Sequence, residues 1–581
     1  MIYPNNIEKK IDFDIIRQYL LDHCQSIFGK EQVEKMQWQN DYKAIVPLLE
    51  QTNEMLHILQ DSSLSFPRGE IYDLQEVMAK IRLEGSYLTE EECFQLRKTL
   101  QITHDLALFI RSLNGELFPQ MHALLLENSL DFIAPILKQI DKILDKYGNI
   151  ADNASVDLAR IRREMQQAKN SVERTLISIL KQAITDGFVD KETTPTLREG
   201  RLVLPIPPAY KRKINGIVHD ESATGKTVFV EPQQVVEINN RLRELQSEEQ
   251  REKIRILTEL TNTLRPNRQD ILNTNLFLGT IDFLYAKAQL AIQLNAIAPI
   301  IQREPIIDWR NARHPILFMN YQQSGKIVVP LNIRLGTSQQ NNTRILVISG
   351  PNAGGKSVCL KTVALLQYML QCGLLVPLHE SSTMGIFENL LIDIGDEQSI
   401  NDDLSTYSSH LKNMRQFLKI ANNKSLILID EFGSGTEPSI GGAIAEVVLK
   451  KLNVQNTFGV ITTHYTNLKH FAQITPKVVN GAMLYDKSVM KPLFQLSIGV
   501  AGSSYAIEIA KQIGLSNDII EQVTQLVGSD HINYDQYLND IARDKHYWEN
   551  KRQQIKEQEK RLEEKEKYYE KEISELRKKQ K

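Results

Sequence analysis

With 581 residues, 42% of them hydrophobic, the chain can bury several cores, and its length alone suggests roughly three to five domains. Lysine and arginine (69) nearly balance aspartate and glutamate (72), so a net charge of −3 excludes a chain drawn as a whole to polyanions and makes any basic surface local. The four cysteines, Cys24, Cys93, Cys359 and Cys372, lack CxxC spacing and a neighbouring histidine cluster, which argues against a zinc site or disulfide framework; with no signal pattern and no apolar run of about 18 residues, the expectation is a soluble, cytoplasmic protein.

From Ile11 to about Leu144 apolar residues recur at spacings of three and four, as in FDIIRQYLLDHC, so residues 1–150 read as a helical domain. A charged helix follows at DNASVDLARIRREMQQAKNSVERTLISIL, where Asp152 to Ser155 can cap its start. Between Thr193 and Pro232 the pattern turns to β-branched alternation broken by Gly, Pro and Asp, in LREGRLVLPIPP and GIVHDESATGKTVFVEP. The segment VVEINNRLRELQSEEQREKIRILTELTNTLR then runs without Gly or Pro, enough for a helix of roughly 45 Å. Residues 151–265 thus read as two long helices around a small β tip at about 193–232, and 266–300 as a helical return.

Over 301–500 short apolar runs alternate with helical ones: RILVISG, KTVALLQYMLQCG, SLILIDE, AIAEVVLKKL, TFGVITTH. Nearly continuous apolar strands alternating with helices are what a parallel sheet covered on both faces requires, so the fold class is multidomain, α and α/β. In 531–581 the last forty-one positions hold 24 charged side chains and no Gly or Pro, a long exposed helix. There Ile541, Trp548, Ile555, Leu562, Tyr569 and Leu576 form one half of a heptad seam whose other half is mostly charged, leaving a coiled coil and a solvated single helix both open.

The stretch Gly350-Pro351-Asn352-Ala353-Gly354-Gly355-Lys356-Ser357 fits G-x-x-x-x-G-K-[ST] between a strand and a helix, which makes it a phosphate-binding loop. Its glycines let backbone N–H groups turn onto phosphate, Lys356 reaches the β and γ oxygens of ATP, and Ser357 ligates Mg²⁺. SLILIDE ends an apolar strand in two carboxylates: Asp430 suits the magnesium shell and Glu431 suits polarising the attacking water. A histidine at a strand end is commonly structural, but His464, after an Asp-Glu strand and a GSGTEP loop, is better placed as a γ-phosphate sensor. The run LSTYSSH, with Ser405 and His410, is by itself an ordinary helix start. A GTPase is disfavoured because the Asn-Lys pairs at Asn423 and Asn550 lack the following Asp of a base-reading motif.

Taken together, GPNAGGKS, DIGDEQSINDDLSTYSSH, LILIDEFGSGTEP and ITTHYTNLKHFA resemble the ATPase of the MutS family, and are most similar to its second bacterial branch, the paralogue associated with suppressing recombination. The resemblance extends upstream through DNASVDLARIRREM, REGRLVLPIPPAYKRKINGIVHDESATGKTVFVEP and NARHPIL, and downstream through GVAGSSYAIEIAKQIGLSNDII, covering nearly all of residues 5–530. It implies an ABC-class ATPase at 301–500, a helical dimerisation segment at 501–530, and a homodimer in which Ser405 of one subunit approaches the γ-phosphate held by Lys356 of the other. It also implies that Asp430 and Glu431 serve magnesium and water, that His464 senses the γ-phosphate, and that long lever helices carry a clamp that closes on duplex DNA. The tip's Arg198, Arg201, Lys211, Arg212 and Lys213 would supply sequence-independent phosphate contacts, with a solvated charged loop as the alternative.

Mismatch-reading relatives carry a Phe-x-Glu wedge, and none occurs in the first 150 residues; Phe229-Val230-Glu231 matches the letters but closes the β segment, where it reads as coincidence. The chain also shows neither the wedge domain nor the small nuclease-type domain usual in the second branch, so branched or otherwise structured DNA is the expected target, without mismatch reading or nuclease activity. Two further readings stay open: a ribosome- or RNA-associated rescue ATPase, and a non-hydrolysing scaffold locked by ATP, which Glu431 argues against.

Overall fold

A computed structural model describes residues 1–198, 200–336, 342–351, 354–395, 406–486, 491–503, 510 and 513–527, with isolated positions at 544, 548, 551, 552, 555 and 562. It forms two compact units: Met1–Gln25, Gly29–Leu64 and Thr280–Lys581 make the first, Ser26–Phe28 and Ser65–Gly279 the second. Among the described residues no helix is long and apolar enough to cross a membrane.

The first unit is built on a seven-stranded sheet in the order Ile2–Tyr3, Asn389–Asp393, Ser425–Ile429, Phe458–Thr462, Ile345–Ser349, Val478–Asp486, Lys491–Ile498. All neighbours run parallel except the last pair. The strands NLLID, SLILI, FGVIT and ILVIS are buried at every position, as expected when helices cover both faces. Ile348 pairs with Thr462, and Ile461 with Ile429, so three strands end abreast. A smaller four-stranded sheet comprises Ile300–Gln302, Thr383–Gly385, Ile307–Ala312 and Leu331–Leu335.

The first 64 residues do not group wholly with a helical block over 1–150: Ile2–Tyr3 extends the large sheet, and the helices that follow pack on the helix Lys356–Gln371. A strand of two residues is too short to show a period in sequence. The contacts are specific. The rings of Phe13 and Tyr368 meet edge-on at 4.6 Å, Lys361 pairs with Asp12 at 2.9 Å, and the Gln371 amide donates to the Gln39 carbonyl at 2.6 Å. Gly373 ends that helix at φ +74°, and its carbonyl accepts the Thr52 hydroxyl at 3.1 Å.

The second unit holds the helices Val156–Thr185 (30 residues) and Gln233–Leu264 (32 residues). Leu158, Ile161, Met165, Val172, Leu176, Leu180 and Ala183 are the buried stripe of the first, spaced by threes, fours and one seven. The helices lie antiparallel, tied by Ser155 to Glu252 at 2.6 Å, Arg162 to Glu249 at 2.8 Å and Arg241 to Glu164 at 3.3 Å. Between them the chain forms an antiparallel sheet in the order Thr196–Arg198, Arg201–Ile206, Val228–Pro232, Gly216–Glu221. Leu204, Ile206, Val228 and Val230 of this sheet share a core with Leu176 and Leu180.

One buried group works against stability. Lys287, in the helix Arg268–Leu294, is fully buried with its ammonium 4.3 Å from the centre of the Phe283 ring, and burial lowers its pKa to about 8 from an ordinary 10.5. Because the folded value lies below the unfolded one, the penalty is complete below pH 8 and fades as pH rises toward 10.5. Lys287→Met is expected to stabilise the protein at pH 7, by on the order of 3 kcal/mol, and to lose most of that advantage near pH 10. Thermal melts of both proteins at the two pH values measure this.

Candidate functional site

At the end of the strand Ile345–Ser349 the chain turns through Gly350 at φ +139° and Gly355 at φ +90° into the helix Lys356–Gln371. These are left-handed values that favour glycine, and at Gly350 a side chain would also press on the Met483 backbone, its Cβ 3.3 Å from that carbonyl oxygen. Ser357 is exposed at the helix start. Lys356 is buried, and its ammonium donates to the Gly350 carbonyl at 2.8 Å and to His464 Nε2 at 3.0 Å. Burial brings its pKa to about 8, against the opposing pull of Glu431 and Asp430. His464 is exposed as a residue, yet desolvation, then Lys356 and Lys469, holds its pKa below the ordinary value. The ring is therefore neutral at pH 7, with Nε2 the acceptor and the proton on Nδ1.

Asp430 and Glu431 follow the strand Ser425–Ile429 directly. Thr462, at the end of the adjacent strand, joins them: its hydroxyl donates to Asp430 Oδ1 at 2.6 Å and accepts the Glu431 N–H at 2.8 Å. Glu431 sits at φ +45°, a conformation costly for a side chain bearing Cβ, with its carboxylate on an exposed residue. On the other side, the Asp430 N–H donates to the Asp393 carbonyl at 2.9 Å. The buried Asp393 carboxylate accepts from His410 Nδ1 at 2.7 Å and from Asn413 at 2.8 Å, both on the helix Thr406–Ile420. His410 is thus a partner of a buried acid, more than the ordinary helix start its sequence suggests. Glu437 of the GSGTEP loop caps the helix Pro438–Val454, accepting the Ser439 and Ile440 N–H groups.

Lys356, Ser357, Asp430, Glu431 and His464 thus come from three adjacent strand ends. Among the loop residues, Gly350, Pro351, Gly354 and Gly355 lie between the strand Ile345–Ser349 and the helix Lys356–Gln371, while Asn352, Ala353 and the trans candidate Ser405 lie outside the described residues. Most of the heptad tail does too. The set suits a magnesium nucleotide: glycines leave backbone N–H groups room to approach phosphate, a buried cation waits at the helix N-terminus, and a hydroxyl and a carboxylate of the type that holds Mg²⁺ flank it.

The second unit's tip carries the remaining candidates. Lys211, Arg212 and Lys213 are exposed on the turn after Pro208–Tyr210, and Arg198 is exposed with its guanidinium 4.4 Å from the Phe229 ring centre. Arg201 is different. It pairs at 2.7 Å with Glu231, a fully buried carboxylate that also receives His219 at 2.5 Å and Asn239 at 2.6 Å. That internal pairing, invisible in a spacing of thirty residues, takes Arg201 out of the exposed set. Phe229 is itself buried, so its ring is not presented as a wedge.

Residues 346–529 match the family MutS domain V. The chain is 34% identical over 558 residues to the endonuclease MutS2 of Finegoldia magna, covering 95% of this chain and 68% of that protein. The chain belongs to the MutS2 branch of the MutS family. Endonuclease MutS2 of Halothermothrix orenii is 32% identical over 576 residues, covering 98% of this chain and 71% of the relative. That of Geobacillus sp. is 34% identical over 520 residues, 90% of this chain, and the chain spans 65% of its length.

For a MutS2-branch site, three residues escaped the sequence reading. Thr462 was readable as one of two threonines ending ITTH. Asp393 lay in plain sight in LIDIGDE, but its role depends on a helix whose start it meets. Phe494 gave no signal: it is half-exposed at φ +56°, with a ring carbon 3.1 Å from where a Gly355 Cβ would sit, an aromatic surface beside the phosphate loop. The pKa of Lys356 sets a pH dependence. A triphosphate held at Lys356 would favour the ammonium and raise its pKa, so nucleotide affinity is expected to be flat below pH 8 and to fall by up to about tenfold per pH unit above it. Titrations of a fluorescent nucleotide from pH 7 to 10 check this, with Lys356→Met, much weaker throughout, showing no such break.

Proposed function

We propose that this chain is an ATP-hydrolysing, nucleic-acid-binding protein of the MutS2 type: a cytoplasmic homodimer that binds branched or structured DNA in repair or suppression of recombination. The convergence of Lys356, Asp430, Glu431 and His464 on one sheet edge carries the reading. The loop backbone and Lys356 would hold the phosphates, and Phe494 would offer the nucleotide's base a stacking face. Ser357 and Asp430 would hold Mg²⁺, which when bound neutralises charge across the β and γ oxygens. Glu431, fixed through its N–H by Thr462, takes a proton from the water whose oxygen attacks the γ-phosphorus as the bond to the β–γ bridging oxygen breaks and ADP leaves, and neutral His464 reports the γ-phosphate through Lys356.

Dimerisation is supported by the helix Asn517–Val527, whose Ile519, Val523 and Leu526 are exposed at spacings of four and three along one face. Ser405, which immediately precedes the helix Thr406–Ile420, would complete the partner's site. DNA binding is supported by the exposed Arg198, Lys211, Arg212 and Lys213 at the end of two long helices.

Three measurements test the reading. Glu431→Gln is expected to lower phosphate release by about 100- to 10,000-fold while nucleotide binding stays intact. Thr462→Val should lower turnover by about 10- to 100-fold with Thr462→Ser near wild type, since only a hydroxyl joins the two acids. A wild-type protein that binds ATP without turnover would leave the scaffold alternative. For the tip, replacing Lys211, Arg212 and Lys213 by alanine should reduce the slope of log affinity against log salt by about 2.7 for duplex DNA if each meets one phosphate. An unchanged slope would remove these residues from the interface.

A further inference from the structure

Beside the three cations of the tip lies an arrangement that phosphate binding does not use. Tyr210 is the last residue of the short helix Pro208–Tyr210, entered through Pro207 and Pro208, whose fixed φ stiffens the turn. Hydrogen bonds close it: the Tyr210 N–H donates to the Pro207 carbonyl at 2.9 Å and the Lys213 N–H to the Tyr210 carbonyl at 2.8 Å. The Tyr210 ring stacks on Phe188, centroids 5.4 Å apart and planes 29° from parallel, yet Tyr210 remains 38% exposed. Phe188 is anchored from below, packed on the tip's apolar core, and the Lys213 ammonium lies 5.9 Å from its ring centre. Phe188 and Lys213 also form part of the wall of an open groove of about 460 Å³ whose other lining includes the amides Gln182, Asn215, Gln233 and Gln234.

An exposed aromatic face on a rigid support, cations within three residues, and amide donors and acceptors at a groove alongside are the parts needed to receive an unpaired base. The ring stacks on the base, the cations meet the flanking phosphates, and the amides address the base edge. Paired bases inside a helix cannot present a face to Tyr210; an extrahelical nucleotide or a single strand can. We infer that Tyr210, supported by Phe188, is a stacking platform for an unpaired nucleotide, so that the tip distinguishes structured nucleic acid from plain duplex. This rests on the nucleic-acid-binding reading above and adds the feature of the target that is recognised. Deoxyribose and ribose strands share the chemistry.

The test uses the full chain and oligonucleotides carrying one 2-aminopurine, whose fluorescence is quenched when it stacks, in a DNA single strand, an RNA single strand, a duplex with a single extrahelical nucleotide, and a fully paired duplex. Wild type is expected to quench the probe in the first three and not in the fourth. Tyr210→Ala should abolish the quenching and weaken binding of the unpaired substrates by roughly 10- to 100-fold, while Tyr210→Phe retains both. Affinity for the paired duplex should be the same in all three proteins, and this also reports that the tip is folded. Comparing the DNA and RNA arms identifies which sugar is preferred. Equal losses for paired and unpaired substrates in Tyr210→Ala, or no loss at all, would overturn the inference while leaving duplex binding, and the function built on it, in place. Failure of the wild-type protein to bind any of the four would overturn both.

Discussion

Parallel register in the large sheet is the constraint from which the candidate nucleotide site follows. Because Ile345–Ser349, Phe458–Thr462 and Ser425–Ile429 run the same way and end level with one another, whatever follows each strand is delivered to one edge. The glycine loop, His464 and the Asp430-Glu431 pair are therefore neighbours although they lie up to 114 positions apart in the chain, from 350 to 464. Strands buried on both faces cannot slip without exposing apolar residues, so the chemistry inherits its precision from packing.

Within that frame, polar groups behind the site take over. Thr462 settles both acids with one hydroxyl, orienting Asp430 and pinning the backbone of Glu431 in a conformation it would otherwise avoid. Asp393 does the same one strand further along, accepting from two residues of the helix Thr406–Ile420 while its carbonyl receives the Asp430 N–H. Asp393 thus links that helix to the backbone of Asp430 through hydrogen bonds on its side chain and its carbonyl. The hydroxyl of Tyr3, on the edge strand, extends the same chain to Asn413 at 2.8 Å.

Much of this was legible in the sequence because the signals are local. A phosphate loop is contiguous, its strand and helix flank it, and buried strands announce themselves as apolar runs. The two long helices and the β tip were readable from caps, the absence of Gly and Pro, and the return of β-branched residues. What was hidden depends on distant partners or on unusual backbone. Arg201 looks like its basic neighbours until Glu231 is brought beside it by strand pairing. Phe494 at a left-handed φ is the opposite of what its side chain favours, and no periodicity predicts it. The strand Ile2–Tyr3 has too few residues to show alternation and is recognised only by its partner.

The buried carboxylate of Glu231 has a consequence for how such a tip can change. Its charge is satisfied from within by Arg201, His219 and Asn239, which together fasten three strands to the first turns of a long helix. The cations that face outward play no part in that fastening. Folding and surface chemistry at the tip are therefore separable: the inner carboxylate holds the scaffold together without drawing on the side chains of Lys211, Arg212 and Lys213.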